Sequence, residues 1–195
     1  MDYILFTLWF LLGICADILY FKQVLCKDIR PNRWFWLISS VAATLEATTY
    51  MGITSDWINI LSFCYTPLYC ALISVLIWKK ALWNKPNWVD IASVAISLIS
   101  LTVWAIFRTA LWAHVIMLAV IPISYIPLWK GIWADSESED PATWKLWALS
   151  AFFRLVMVLL RLDSDQESFY GAVEFICYGA TWFLIRLRQS NTGSA

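Results

Sequence analysis

Apolar residues run through this chain in seven long blocks, with polar residues gathered in short breaks between them. A helix needs about 20 mostly apolar residues to cross the hydrocarbon core of a bilayer. The blocks that meet this need are Tyr3–Phe21, Trp34–Thr54, Trp57–Trp78, Trp88–Phe107, Leu111–Trp129, Trp144–Leu162 and Phe169–Leu187. The second and third are parted only by a turn at Gly52-Ile53-Thr54-Ser55-Asp56, because a single helix over Trp34–Trp78 would be too long. The seventh block is the least apolar and contains Glu174. The pattern predicts an all-α, polytopic membrane protein with seven transmembrane helices and no room for a soluble domain.

Composition narrows the picture. Of 195 residues, 61% are hydrophobic and only 14% charged, where a soluble domain carries about 25% charged residues. Soluble enzymes, nucleic-acid binders and disordered tails are excluded on that ground. Fourteen basic and fourteen acidic residues cancel, so no global field recruits a charged partner. The lipid bilayer and a small-molecule solute are the expected partners, and nucleic acid is not. A homo-oligomer or a membrane-protein partner stays open.

Basic residues set the orientation. With the N-terminus outside, the cytoplasmic side holds Lys22, Lys27, Arg30, Arg33, Lys79, Lys80, Lys85, Lys130, Lys145, Arg186 and Arg188. The outer side holds Arg108 and Arg161, and Arg154 lies within a span. The bias predicts N-terminus out, C-terminus in, and a plasma membrane or bacterial inner membrane location. The acidic run Asp135–Asp140 falls in a cytoplasmic loop and reads as a solvated stretch. Most of the 14 tryptophans, Trp36, Trp78, Trp88, Trp133, Trp144 and Trp147 among them, stand near predicted span ends. Indole favours the headgroup level, so they read as anchors, while Trp9 and Trp182 lie deeper. Asp17 is near a boundary and reads as interfacial. The five cysteines read as small buried apolar residues. No cleavable signal is expected, because Asp2 replaces a basic start. The segment 189–195 reads as a polar, frayed tail.

An internal repeat is visible. Arg30-Pro31-Asn32-Arg33-Trp34-Phe35-Trp36-Leu37 parallels Asp140-Pro141-Ala142-Thr143-Trp144-Lys145-Leu146-Trp147, with proline and tryptophan at equal spacing. Proline at a helix start loses no hydrogen bond, and tryptophan three residues on anchors at the interface. Tyr20–Leu25 parallels Tyr125–Lys130, and Phe63-Cys64-Tyr65 parallels Ile176-Cys177-Tyr178. The expected plan is 3+1+3: a first three-helix repeat over 1–80, a connecting helix over 81–110 and a second repeat over 111–188. The connecting span restores direction, so the repeats are parallel, related by an axis along the membrane normal.

These features resemble the SWEET and PQ-loop transporters, with the PnuC vitamin transporters as relatives of the same plan. Tyr125-Ile126-Pro127-Leu128-Trp129-Lys130-Gly131-Ile132 through Trp144 is similar to a PQ loop, with Pro127 kept and Leu128 in place of glutamine. The first repeat has Gln23, with Lys22 where proline would stand. The resemblance implies alternating access at a site between the repeats, with prolines permitting helix bending. Pro67, Pro122 and Pro127 are the candidate hinges, each removing one backbone hydrogen bond.

Ionisable residues inside spans are the candidate chemistry. A charge at the bilayer centre costs about 2.5–3.5 kcal/mol on insertion scales, so it should face the bundle interior and be paired. Glu46 and Arg154 stand at similar depth in repeat-equivalent spans, and Glu174 lies about one turn into the last span. A buried Glu46–Arg154 or Glu174–Arg154 salt bridge would lock helices. In the functional reading Arg154 would receive an anionic substrate group, or Glu46 or Glu174 would carry a coupled proton. Tyr50, Asn59, Tyr65, Tyr125, Tyr178 and Trp182 are the expected polar or stacking contributors.

Catalytic and cofactor readings have little to rest on. The single histidine, His114, cannot supply a bis-histidine haem or a histidine-based zinc site. The last span has no lysine for a retinal Schiff base, and no glycine-rich phosphate loop exists. No enzyme, metal or cofactor is expected. The two functions in view are a small-solute transporter or facilitator, and a non-transporting membrane protein that acts as a small-ligand receptor or accessory subunit.

Overall fold

The computed structural model describes residues 2–26, 29–51, 57–78, 110–161 and 165–192, with scattered helical residues between 88 and 106. Six helices are bounded within these: α1 (Asp2–Cys26), α2 (Arg33–Tyr50), α3 (Trp57–Ile77), α4 (Ala110–Ala134), α5 (Pro141–Arg161) and α6 (Asp165–Thr192). No strand occurs among the described residues, so the chain is all-helical as the pattern predicts. The expected span Trp88–Phe107 and the turn Gly52–Asp56 lie largely or wholly outside the described residues. Among the described residues three helices are long and apolar enough to cross a membrane, over Tyr3–Cys26, Pro141–Leu160 and Ser168–Asn191. Shorter apolar stretches, Cys64–Leu76 and Leu118–Ala134, lie in α3 and α4.

The helix starts are set by side-chain caps. The Asp140 carboxylate accepts the Thr143 amide at 2.9 Å, and Pro141 opens α5 where its missing N–H is not needed. Asn32 does the same for α2, accepting the amides of Trp34 at 2.9 Å and Phe35 at 3.4 Å. Pro31 therefore precedes its cap while Pro141 follows one, and the two prolines of the repeat do different work. Helices also outrun the apolar blocks. α1 continues past Lys22, because a charge ends the hydrocarbon match and not the hydrogen-bond ladder. α6 runs to Thr192 and takes in most of the expected polar tail, where Ser190 donates to the Leu187 carbonyl at 2.9 Å.

The chain divides into two compact units. One joins 1–31 to 129–195 and holds α1, α5 and α6; the other spans 32–128 and holds α2, α3 and most of α4. In the first unit α5 packs on both α1 and α6. Small residues let the helices close. A side chain added at Gly13 would meet the Ser150 hydroxyl at 3.4 Å, and one at Gly171 would meet the Leu155 backbone at 3.4 Å. The Ser150 hydroxyl donates to the Trp9 carbonyl at 2.7 Å, tying α5 to α1. The outer faces are apolar: Ile4, Leu11 and Ile18 repeat every seven residues on α1, as do Phe169, Ile176 and Phe183 on α6, and all are exposed.

In the second unit α2 packs on α3. Phe35 meets Tyr125 edge-on at 5.0 Å, Trp36 meets Tyr69 at 5.9 Å, and Ala42 packs with Val120 and Leu45. The Arg33 guanidinium lies over the Trp78 ring at 5.2 Å. Both α3 and α4 remain helical through their prolines, Pro67 in one and Pro122 and Pro127 in the other.

Gly171 offers the plainest test of the first unit. An alanine methyl sits at ordinary contact distance, whereas Gly171→Leu must push α6 away from α5. Gly171→Leu should destabilise the chain by about 1–3 kcal/mol and lower the melting temperature in detergent. Gly171→Ala should melt close to the wild type.

Candidate functional site

The fourfold spacing on α6 places Tyr170, Glu174, Tyr178 and Trp182 one above another on a single helix face. That face turns inward at Tyr170 and Glu174, both buried, and the exposed Phe169–Ile176–Phe183 stripe lies off it. Arg154 projects from α5 to meet it. Its Nη1 donates to Glu174 Oε2 at 3.0 Å, with both side chains about nine-tenths buried or more. The Tyr170 and Tyr178 hydroxyls donate to the other carboxylate oxygen, Oε1, at 3.4 and 3.3 Å. The Arg154 guanidinium also lies over the Tyr170 ring at 4.5 Å. A charge pair, two phenols and a cation–π contact thus share one buried cluster. The expected Glu174–Arg154 salt bridge is thus formed.

The remaining expected site residues distribute as follows. Trp182 is half-buried one turn beyond Tyr178. Glu46 is buried in the second unit, where Tyr125 packs on Phe35 and Tyr65 stacks with Tyr69 at 6.4 Å. Tyr50 and Asn59 lie within α2 and α3, with side chains outside the described residues. The hinge candidates Pro67, Pro122 and Pro127 are interior to α3 and α4.

Several buried polar contacts are not evident from sequence spacing. Trp144 and Trp147 are buried, not headgroup anchors, and their indoles face acids within the first unit. Trp147 Nε1 donates to Asp17 Oδ1 at 2.8 Å, so Asp17 is a buried acceptor. Trp144 Nε1 donates to Glu139 Oε2 at 3.1 Å, and the Tyr20 hydroxyl to Glu139 Oε1 at 3.2 Å. Trp36 is likewise buried, whereas Trp78, Trp88 and Trp133 are exposed and fit the anchor role. The acidic loop is not simply solvated: Ser138 and Glu139 are both buried, because the loop is pinned between helices. Cys15 and Cys26 are exposed, against the buried reading, while Cys70 and Cys177 fit it. The available signal for these contacts was chemical: an acid inside an apolar helix needs a donor, and the 14 tryptophans supply many indole N–H groups within apolar runs.

The aromatic rings link the acids. Trp147 stacks on Tyr178 at 6.0 Å and meets Tyr20 at a tilt at 5.1 Å, and Trp144 meets Trp147 edge-on at 4.9 Å. One ring cluster therefore carries donors to Glu174, Asp17 and Glu139. At a further level Trp129 Nε1 donates to the Thr181 hydroxyl at 2.8 Å, which donates in turn to the Cys177 carbonyl.

Removing one partner of a buried pair leaves the other charge without compensation. Arg154→Met should therefore destabilise the chain by about 3–5 kcal/mol. The double variant Arg154→Met/Glu174→Leu should recover most of that loss, read as melting temperatures in one detergent. A double variant less stable than Arg154→Met would contradict this assignment. Comparison with protein-family models, with curated proteins and with solved structures returns no match, so the role of this site rests on its own residues.

Proposed function

We propose that this chain is a polytopic membrane protein that carries a small solute by alternating access. The supporting observation is the Arg154–Glu174 pair, held with Tyr170 and Tyr178 inside helices long enough to span a bilayer. Ionised groups in hydrocarbon are expensive, and a buried pair is weak grounds for stability, so its presence speaks for a binding or coupling role. Guanidinium suits a carboxylate or phosphate on the solute. The phenols and the neighbouring Trp147 supply hydrogen bonds and stacking. The exposed apolar stripes of α1 and α6 suit lipid contact, since a soluble protein rarely leaves such faces bare.

The finer reading keeps the seven-span 3+1+3 plan, N-terminus out, in a plasma or bacterial inner membrane, as the resemblance to SWEET and PQ-loop transporters and the sorting of basic residues imply. The solute site then draws on both repeats, with Glu46 a second ionisable contributor and the helix prolines as hinges. A second reading draws on a specific feature. Glu174 accepts bonds from Arg154, Tyr170 and Tyr178 together, which also suits a static helix lock. That would make the chain a small-ligand receptor or an accessory subunit.

Proteoliposomes separate the two. Tested with labelled sugars, vitamins and amino acids, the wild type should admit at least one solute faster than protein-free vesicles. Arg154→Gln and Glu46→Gln should each slow that uptake at least about tenfold, the scale of one lost charge-assisted contact. Uptake unchanged in both variants would rule out this site, and no uptake of any solute class would favour the non-transporting reading.

A further inference from the structure

The loop between α4 and α5 carries Asp135, Glu137, Glu139 and Asp140 and is nevertheless folded. Ser138 is held by its amide and hydroxyl to the Asp135 carbonyl at 3.2 and 2.7 Å, and its own carbonyl accepts the Arg30 amide at 3.0 Å. The Glu137 amide donates to Asp135 Oδ1 at 3.1 Å. Glu139 is only 2% exposed. Its two oxygens are reached from two different helices, by Tyr20 of α1 and Trp144 of α5, so this carboxyl group fastens the loop to both.

The groups facing Glu139 are unusual for an acid. α1 offers a phenol and α5 an indole, both neutral. The loop itself adds the Asp140 carboxylate, a like charge. Elsewhere on the loop the Gln189 amide of α6 donates to the Ser136 carbonyl at 3.5 Å, and the Arg188 guanidinium lies over the Trp133 ring at 4.7 Å. Among the described residues no basic side chain forms an ion pair with Glu139.

We infer that Glu139 is a proton-binding site that holds the 135–140 loop on α1 and α5 when protonated and releases it when ionised. In the protonated form the new O–H at Oε1 donates to the Tyr20 oxygen, reversing that bond, while Trp144 still donates to Oε2. Every polar group is then satisfied with no buried charge. In the ionised form a negative charge is buried beside Asp140 with two neutral donors, and exposing it to water relieves the cost. Burial pushes the Glu139 carboxyl up to about 8, with Asp140 adding to the rise and the bonds from Trp144 and Tyr20 opposing it.

The sign follows from linkage. The docked loop keeps a proton that an undocked carboxyl has already lost, so docking is strongest below the ordinary carboxyl pKa. It weakens as pH rises toward about 8, by up to tenfold per pH unit, and then levels off. This inference does not depend on transport.

Hydrogen exchange on the full chain in detergent micelles tests it, with rates corrected for the intrinsic pH dependence of exchange. The reporters are peptides containing the Arg30 and Ser138 amides. Their protection should fall at least about tenfold between roughly pH 6 and pH 8 and then plateau. In Glu139→Gln the amide replaces the protonated acid, donating to Tyr20 and accepting from Trp144, and protection should not change with pH. In Tyr20→Phe both forms lose this bond, but the ionised form loses the stronger, charge-assisted one, so the plateau should begin at higher pH. Protection independent of pH in the wild type, or falling equally in Glu139→Gln, would overturn the assignment. If Glu139→Gln does not fold, the Tyr20→Phe profile decides, and an unmoved plateau would count against it.

Discussion

A charge pair in an apolar helix bundle is the constraint around which the first unit is arranged. Arg154 and Glu174 lie in helices apolar enough to span a bilayer, where either charge alone would be costly. Their attraction across 3.0 Å requires α5 and α6 to approach closely and in one register. Gly171 allows that approach, since a Cβ there would already lie 3.4 Å from the Leu155 backbone. Tyr170 and Tyr178, one turn to either side, complete the carboxylate's bonding. Register, small-residue contact and polar satisfaction all point to the same packing.

The same solution recurs along the unit with neutral donors. Asp17 is met by Trp147, and Glu139 by Trp144 and Tyr20. Indole and phenol suit this task because each brings a large apolar ring and a single polar handle. The rings fill the core between α1, α5 and α6, and their N–H and O–H groups satisfy acids that would otherwise be costly. The two kinds of site differ in one respect. Glu174 is paired with a cation, whereas the donors to Glu139 are neutral and that carboxyl gains from holding a proton.

Much of this was legible in the residues, and the failures have physical causes. Apolar blocks located all six bounded helices, because helix and hydrocarbon demand the same run of side chains. The helix ends were missed at Cys26 and Thr192, because lipid matching stops at the first charges while the backbone ladder continues. Arg154 and Glu174 stood out by the cost of charge in an apolar run. Sequence left Arg154 a choice between Glu46 and Glu174, since depth alone does not fix which helices touch. The tryptophans were misread for a related reason. Trp144 and Trp147 lie near a span end, where interfacial anchoring and inward hydrogen bonding give the same sequence signal, and only the neighbouring helix settles which applies. The acidic loop read as solvated because charge runs usually are; the Arg30–Ser138 contact that buries Glu139 joins segments far apart in the chain.

The central claim is that the buried pair serves function and not stability. Uptake measured in proteoliposomes with Arg154→Met/Glu174→Leu tests it directly, because an apolar pair of similar volume keeps the helices packed. The account predicts a folded protein, melting near the wild type, that no longer admits the solute the wild type carries. A folded double variant that takes up that solute at the wild-type rate would contradict it.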